Sequence, residues 1–231
     1  MPAAHKPRRA ATAGTVIPPG RRPRARTSIG AVRSPETHRA ILDAAAAILD
    51  EVGYAGFSMD ELARRANSSK PTIYRWWRNK AALIMEVYEE ANEAALGETG
   101  TGSLRGDLIA RLTRLWTWWD ESWAGEALRS IIAEAQLDTA TLDELRSAFI
   151  PRRKKFVRVV FDRAVECGEL RDGSGVDAAV AHLIAVSWFH LLTGQLGQRE
   201  AIEPLVDAAV RGLEVDQAQR RPVKRKPAQG T

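Results

Sequence analysis

Four side chains that can donate hydrogen bonds lie within six residues of one short segment, namely Lys70, Thr72, Tyr74 and Arg75. On a helix, the apolar residues between them would face inward and leave these four on an outward face. Base edges in the major groove of DNA and phosphate oxygens offer mostly hydrogen-bond acceptors. The segment therefore has the chemistry of a nucleic-acid contact; an ordinary solvated helix surface is the alternative interpretation.

The sequence offers little for catalysis. It contains no glycine-rich phosphate-binding loop, no His-Glu-x-x-His pair and only four histidines. The single cysteine, Cys167, excludes an internal disulfide and any thiolate-rich zinc site. We therefore predict a protein that is not an enzyme and that needs no metal or cofactor.

A helix-turn-helix pattern positions the donor segment. Ser58 and Glu61 have capping-box spacing, which predicts the start of a short helix. Asn67 follows within two to three turns, and asparagine tolerates the left-handed conformation of a tight turn. Ser69 then suits the cap of a second short helix that ends near Trp77.

Longer helices flank this pair. Ser34 suits the N-cap of a helix that ends near Val52, and Asn79 suits the N-cap of a helix over residues 80–96. A supporting helix followed by two short helices and a tight turn is the tri-helical form of the helix-turn-helix. We therefore predict a DNA-binding domain over residues 34–80.

Residues 37–88 closely resemble the DNA-binding domain of the TetR/AcrR family of transcriptional regulators. The capping box, the turn, the tyrosine-containing helix and the downstream lysine occur in the family's order and spacing. Asn67 and Ser68 depart from the usual glycine and branched apolar residue, and Trp76-Trp77 stand where His-Phe is common. The matching stretches are Gly56 to Ala63 and Ser69 to Leu83.

The resemblance implies a homodimer that binds a palindromic operator in double-stranded DNA, with the segment from Ser69 to Trp77 in the major groove. It also implies phosphate contacts by Tyr74, Lys80 and Thr37. Lys70 and Thr72 are candidates for base contacts. The full predicted DNA-binding set is Thr37, Ser69, Lys70, Thr72, Tyr74, Arg75, Trp76 and Lys80.

Helical patterns without strand-like alternation continue after residue 96, so the predicted fold is all α. The stretch 178–198 has no charged residue and is long enough to raise the question of a membrane span. Its six polar side chains and two glycines favour a buried protein helix, and we expect no membrane association. The predicted helices lie near residues 104–122, 125–137, 142–167 with a bend at Pro151, 176–195 and 204–215.

Seven tryptophans are many for a chain of 231 residues, and four of them lie between residues 116 and 123. Apolar pockets lined by aromatic side chains and a few polar groups suit small-molecule binding, so we predict a small hydrophobic effector. Packing in a core is the alternative for each residue. The candidate pocket residues are Trp116, Trp119, Trp123, Gln136, Phe149 and Trp188.

The last two predicted helices are candidates for a subunit interface. The helix over 176–195 is apolar on nearly all faces, which indicates burial on more than one side. Paired across a two-fold axis, the two helices of each subunit would form a four-helix interface. The final helix contributes a predicted stripe of Leu205, Ala208, Ala209 and Leu213.

Charge is unevenly distributed along the chain. Residues 1–34 carry eight bases and no acid, and residues 216–231 carry a net charge of +4. Since the total is +5, residues 35–215 carry a net charge of −7. The run Arg152-Arg153-Lys154-Lys155 is interpreted as a solvated helix face and not as a second DNA site.

The terminal segments are rich in Pro, Ala and Arg and lack apolar periodicity, which predicts disordered basic arms over 1–33 and 216–231. Between them we expect the DNA-binding domain and, over 81–215, an effector-binding and dimerisation domain. The predicted function is a cytoplasmic, nucleoid-associated repressor that an effector releases from DNA. The alternative is a ligand-independent DNA-binding protein of nucleoid type, to which basic arms would add phosphate attraction.

Overall fold

Ten α-helices account for most of the residues that the computed structural model describes, which are 34–170, 175–211 and 213. These ranges contain no β-strand, so the predicted all-α fold is confirmed. A π-helical turn, Leu145–Phe149, joins α7 to α8, and a 3-10 turn, Arg199–Ala201, precedes α10. The predicted arms at 1–33 and 216–231 lie outside the described residues. The helices are α1 (Pro35–Val52), α2 (Met59–Arg65), α3 (Lys70–Trp76), α4 (Lys80–Leu96), α5 (Leu104–Glu121), α6 (Trp123–Ala135), α7 (Thr139–Glu144), α8 (Ile150–Glu166), α9 (Gly175–Leu192) and α10 (Ile202–Val210).

Side-chain caps begin the three helices around the predicted turn. Ser58, Ser69 and Asn79 each accept a hydrogen bond from the backbone amide three residues later, at 3.5, 3.2 and 2.8 Å. Each bond satisfies an amide that has no partner inside its helix. Asn67, between α2 and α3, has a φ of +46°, which is the left-handed conformation expected there.

Helix α4 connects the first three helices to the rest of the fold. Its first two turns are buried almost continuously, from Ala81 to Met85, and Tyr88, Asn92 and Leu96 continue the buried face. The helix contacts α1 on one side and α5, α6 and α7 on the other. The described residues from Pro35 onward form one compact unit, so the regions predicted as 34–80 and 81–215 share a packed core.

The predicted helix over 142–167 begins earlier and is interrupted. Helix α7 starts at Thr139, and the π-helical turn precedes the predicted bend at Pro151. The Ile150 amide bonds to the Leu145 carbonyl five residues earlier, and Pro151 has no amide hydrogen with which to continue the α-helical pattern. The turn buries both Leu145 and Phe149 in the core.

Helix α9 is long and apolar enough to cross a bilayer by length and composition, but 39% of its residues are buried inside the protein. Its buried face includes Val180, Leu183 and Leu191 and packs against α5, α8 and α10. Within one chain, one side of the predicted apolar helix is thus buried, and burial of a second side stays a prediction. The opposite face is exposed and apolar, with residues at helical spacing: Ala178, Ala181, Ala185, Phe189 and Leu192.

Helix α10 packs inside its own chain, against α5 and α9. Of the predicted interface stripe, Ala208 is exposed, Ala209 is buried, and Leu205 and Leu213 are half-buried. The stripe is turned partly inward because α10 buries Val206 and Val210 against these helices, and Arg105 of α5 also binds Asp207 at 2.6 Å on the surface. Helix α9 therefore carries more exposed apolar surface than α10.

Candidate nucleic-acid interface and effector cavity

Helix α3 separates an apolar face from a donor face, as its sequence predicts. Ile73 and Trp77 are buried, whereas Tyr74 is 47% exposed and Arg75 is exposed. Lys70 is half-buried at the start of the helix, and its ammonium lies 2.6 Å from the Asp60 carboxylate of α2. Lys70 can thus reach a phosphate or a base only by leaving this acid.

Ser69 and Thr72 are joined to each other. Their hydroxyl oxygens are 2.8 Å apart, and Ser69 also accepts from the Thr72 amide. The bond to Ser69 fixes the Thr72 side chain, whose hydroxyl retains hydrogen-bonding capacity and whose methyl group suits contact with a thymine methyl.

Lys80 does not project freely from the start of α4. Its ammonium lies 3.8 Å from the centroid of the Tyr54 ring and 3.4 Å from the Tyr54 carbonyl oxygen. Burial lowers the pKa of Lys80 from its usual value, with Glu134 opposing the shift. The phosphate contact predicted for this residue would require the side chain to leave the ring.

The two remaining predicted DNA contacts lie at the edge of this surface. Thr37 is half-buried in the first turn of α1. Trp76 is half-buried, and its ring packs at 6.0 Å from His38 and edge-on at 5.7 Å from Trp77. Trp76 therefore has a packing role whether or not it also reaches the DNA backbone.

A carboxylate on α4 fixes the orientation of α1 and α3. Glu86 lies 2.8 Å from His38 Nε2 and accepts a hydrogen bond of 2.6 Å from Trp77 Nε1. The His38 and Trp77 rings stack at 5.3 Å. This Glu86 clamp ties all three helices together, and sequence reasoning missed it because its partners lie 9 and 48 positions away.

Arg65 ties α2 to α1. It binds Glu61 of its own helix and Glu51 of α1, each at 2.6 Å. Arg64 also donates to Glu61, and the bonds from the two arginines lower the pKa of Glu61 to about 2. Arg65 therefore braces the unit from outside its core.

A polar network joins this unit to the C-terminal helices. Tyr54 donates a hydrogen bond of 2.6 Å to Glu134 of α6. Thr141 of α7 is buried, bonds to Asp138, and accepts from Asn79 Nδ2 at 3.0 Å. Burial raises the pKa of Tyr54, and the bond to Glu134 raises it further. The residues at the start of α4 thus contact α6 and α7 directly.

A cavity with about 40 Å³ of free volume lies between α4, α5, α8 and α9. Two of the predicted pocket residues, Trp119 and Trp188, line it. The Trp119 indole N–H donates to the Tyr88 hydroxyl at 2.7 Å, which fixes the aromatic wall. The space is narrow, so a ligand of drug-like size would require side chains to move.

The other four predicted pocket residues do not line this cavity. Trp116 is buried and donates to Ser187, and Phe149 is buried against Tyr88 at 5.4 Å; both fill the core. Trp123 is half-buried and packs edge-on against Trp118. Gln136 is exposed and bonds to the carbonyl of Ile132 on its own helix, so we correct its placement in a pocket.

Sequence reasoning missed the polar wall of the cavity, which consists of Asn92, Arg111 and Arg153. Arg153 belongs to the basic run interpreted as a solvated face, but its side chain is turned inward onto Asn92 and Glu89. Its neighbours in the run, Arg152, Lys154 and Lys155, are exposed as expected. The interpretation was therefore wrong for Arg153 alone.

Comparison with known proteins agrees with this arrangement. Residues 41–87 match the family model described as bacterial regulatory proteins, tetR family, and residues 98–211 match the tetracyclin repressor-like C-terminal domain. The HTH-type transcriptional regulator YdeS of Bacillus subtilis is 31% identical over 190 residues, which cover 82% of this chain and 96% of that protein. The chain belongs to the TetR family. It is thus a DNA-binding transcriptional regulator and not an enzyme.

Other TetR-family proteins match a part of the chain or its fold. The DNA-binding transcriptional repressor TetR of Mycobacteroides abscessus is 45% identical over 78 residues, or 33% of this chain and 40% of that protein. The crystal structure of the TetR family regulator SCO0332 superposes with a TM-score of 0.70 at 27% identity, covering 77% of this chain and 98% of that one. RolR in complex with resorcinol has a TM-score of 0.58 at 17% identity, covering 79% and 90%, which shows a shared fold.

Replacement of the acid that holds Lys70 should strengthen DNA binding. The substitution Asp60→Asn frees the ammonium and removes a negative charge from the donor surface, so we expect a few-fold higher affinity and a steeper salt dependence. Fluorescence anisotropy with a random-sequence duplex at two salt concentrations measures both. Asp50→Asn, which removes an exposed acid from α1, is the control. Equal effects of the two substitutions would contradict a specific role for Asp60.

Proposed function

We propose that this regulator is a repressor that binds a palindromic operator as a homodimer and is released by a small effector. The exposed donor face of α3 is the observation that carries the proposal. The Glu86 clamp holds α3 to α4, and α4 also lines the cavity. Repression needs only occlusion of a promoter. The Mycobacteroides abscessus relative, named as a repressor, matches part of the chain and supports this choice.

The homodimer is inferred from the exposed face of α9. Phe189 is 55% exposed and Leu192 is 48% exposed, and the three exposed alanines on the same face would let two helices approach closely. Exposed apolar stripes of this kind mark interaction surfaces. A two-fold axis through this face would make the interface self-complementary and place two recognition helices on successive major grooves.

Effector control is inferred from the cavity and from its position along α4. Tyr88 and Asn92 line the cavity, and Glu86 lies on the same helix less than one turn from Tyr88. A ligand that widens the cavity would shift α4 and, with it, the clamp. The contacts of Tyr54 with Glu134 and of Asn79 with Thr141 would pass movements of α6 and α7 to the same unit. RolR, which shares the fold, forms a complex with resorcinol, and this supports a small-molecule site in a protein of this fold.

A ligand-independent DNA-binding protein of nucleoid type remains the alternative function. The eight bases of residues 1–34 favour it, because they would bind phosphates regardless of base sequence. Both functions place the protein in the cytoplasm with the nucleoid. They differ in whether one duplex is preferred over another and in whether a ligand changes DNA affinity.

The dimer is tested by placing a charge on the exposed face of α9. Phe189→Glu should convert the dimer to a monomer at micromolar concentration, because the carboxylate would be buried without a partner. Sedimentation velocity measures the change. Val159→Glu, at a residue that is 58% exposed on α8, is the matched control and should stay dimeric. A dimer that survives Phe189→Glu would place the interface elsewhere.

Operator binding is tested by anisotropy titration with the DNA upstream of the protein's own gene and with a scrambled duplex, at two salt concentrations. We expect tight binding to the first duplex alone at physiological salt. Arg75→Ala should weaken binding and reduce the salt slope by about one ion per subunit. Lys155→Ala removes an equal charge from exposed α8 and should have no effect. Equal, weak binding of both duplexes would favour the nucleoid-type alternative.

A further inference from the structure

We infer that the effector is an amphipathic organic anion, with an apolar body and a carboxylate that binds Asn92, Arg111 and Arg153 at the polar end of the cavity. The inference rests on the proposed function, since it takes the cavity as the effector site. It replaces the predicted hydrophobic effector with a molecule that carries a negative charge.

The larger part of the cavity wall is apolar. Leu112, Leu115, Ile184 and the indoles of Trp119 and Trp188 line it. Trp188 is half-buried, so its movement could admit a ligand without unfolding of the core. This part of the wall suits an aromatic ring or a short hydrocarbon body and offers few polar partners.

Three hydrogen-bond donors at the polar end have no acceptor among the described residues. Asn92 Nδ2, Arg111 Nε and Arg153 Nε are these donors, and their residues are only 0%, 8% and 8% exposed. The neighbouring Glu89 Oε1 is likewise buried without a donor in this part of the chain. Buried donors in folded proteins are nearly always satisfied, because an unsatisfied one has lost its water without replacement. All three residues line the same cavity, so an acceptor bound there would lie against side chains that each carry an unpaired donor.

The charge of the polar end is positive. Arg153 is partly neutralised by Glu89, whose pKa is raised by burial even though Arg153 opposes the shift. Arg111 donates to the Phe156 carbonyl at 2.8 Å and to the Gly97 carbonyl at 3.4 Å, and its guanidinium stacks on the Phe156 ring. Its hydrogen bonds in the described part of the chain therefore go to neutral carbonyls.

Neighbouring acids offset this charge only in part. Asp107 lies one helical turn from Arg111, but it binds Arg163 and both the amide and the hydroxyl of Thr101. Burial alone would raise the pKa of Asp107; the bonds from Thr101 and the charge of Arg163 outweigh it and lower the pKa. A buried guanidinium stays protonated at neutral pH. The site therefore attracts an anion, repels a cation and gives a neutral hydrophobe no means of satisfying the donors.

An anion at this position would compete with α4 for Arg153. Glu89 and Asn92 both lie on α4, and both bind the Arg153 side chain from α8. A ligand carboxylate that accepts from the unpaired Arg153 Nε would share the guanidinium with Glu89 and Asn92 and would weaken the attraction between Arg153 and the Glu89 carboxylate. Binding of the charged end is thus coupled to the helix that holds the Glu86 clamp.

The test compares three probes that share one skeleton: 3-phenylpropanoate, 3-phenylpropanamide and 3-phenyl-1-propanol. Isothermal titration calorimetry of the full chain at neutral pH should give at least about tenfold tighter binding for the carboxylate, as expected for charge-assisted hydrogen bonds. Arg111→Met should remove this preference and leave binding of the alcohol unchanged. Arg129→Met, at an exposed arginine on α6 away from the cavity lining, is the control.

Two results with the wild-type chain alone would overturn the inference. One is equal affinity for the three probes, and the other is no saturable binding of the carboxylate. Operator binding in the presence of each probe separates this result from the proposed function. Release of DNA by the alcohol as strongly as by the carboxylate would leave effector control intact and refute the anion. Preferential carboxylate binding that leaves DNA affinity unchanged would support the anion site and refute effector control.

Discussion

The structure depends on one constraint, which is that α4 serves both the DNA-binding helices and the cavity within one shared core. The helix packs against α1, and its later residues Tyr88, Asn92 and Leu96 line the cavity. Glu86 binds His38 and Trp77 on the DNA-binding side, whereas Glu89, three residues later, binds Arg153 on the effector side. A rigid helix with polar contacts at both ends cannot move at one end without disturbing the other.

This constraint accounts for several features that look unrelated. The start of α4 is fixed by the Asn79 cap, and the same side chain reaches Thr141 of α7. Lys80 is drawn onto Tyr54, whose hydroxyl binds Glu134 of α6. The DNA-binding unit and the C-terminal helices are therefore joined by polar contacts at the start of α4 as well as by the helix itself. When one helix carries the effects of both ligand binding and DNA binding, each binding event changes the affinity of the other by the same factor.

Local signals made much of the fold predictable. The caps at Ser58, Ser69 and Asn79 and the left-handed Asn67 depend on residues within a few positions, and all were predicted. The cavity was not, because its polar wall depends on distant partners: Arg153 is buried through Asn92 and Glu89, which lie 61 and 64 positions earlier. The sequence around Arg153 did carry a signal of its burial. Apolar residues lie three, four and seven positions from Arg153 and therefore share its helix face, namely Phe149, Phe156, Val157 and Val160.

Hydrogen exchange of the protein, bound to the duplex that it enriches from a random DNA pool, tests whether α3 contacts DNA and whether α4 carries the effect onward. We expect slower amide exchange across α3 and the first turns of α1 and α4, with a smaller change in α6 and α7 through the Tyr54 and Asn79 contacts. Protection confined to residues 1–33, with α3 unchanged, would contradict this expectation and assign DNA binding to the basic N-terminal segment.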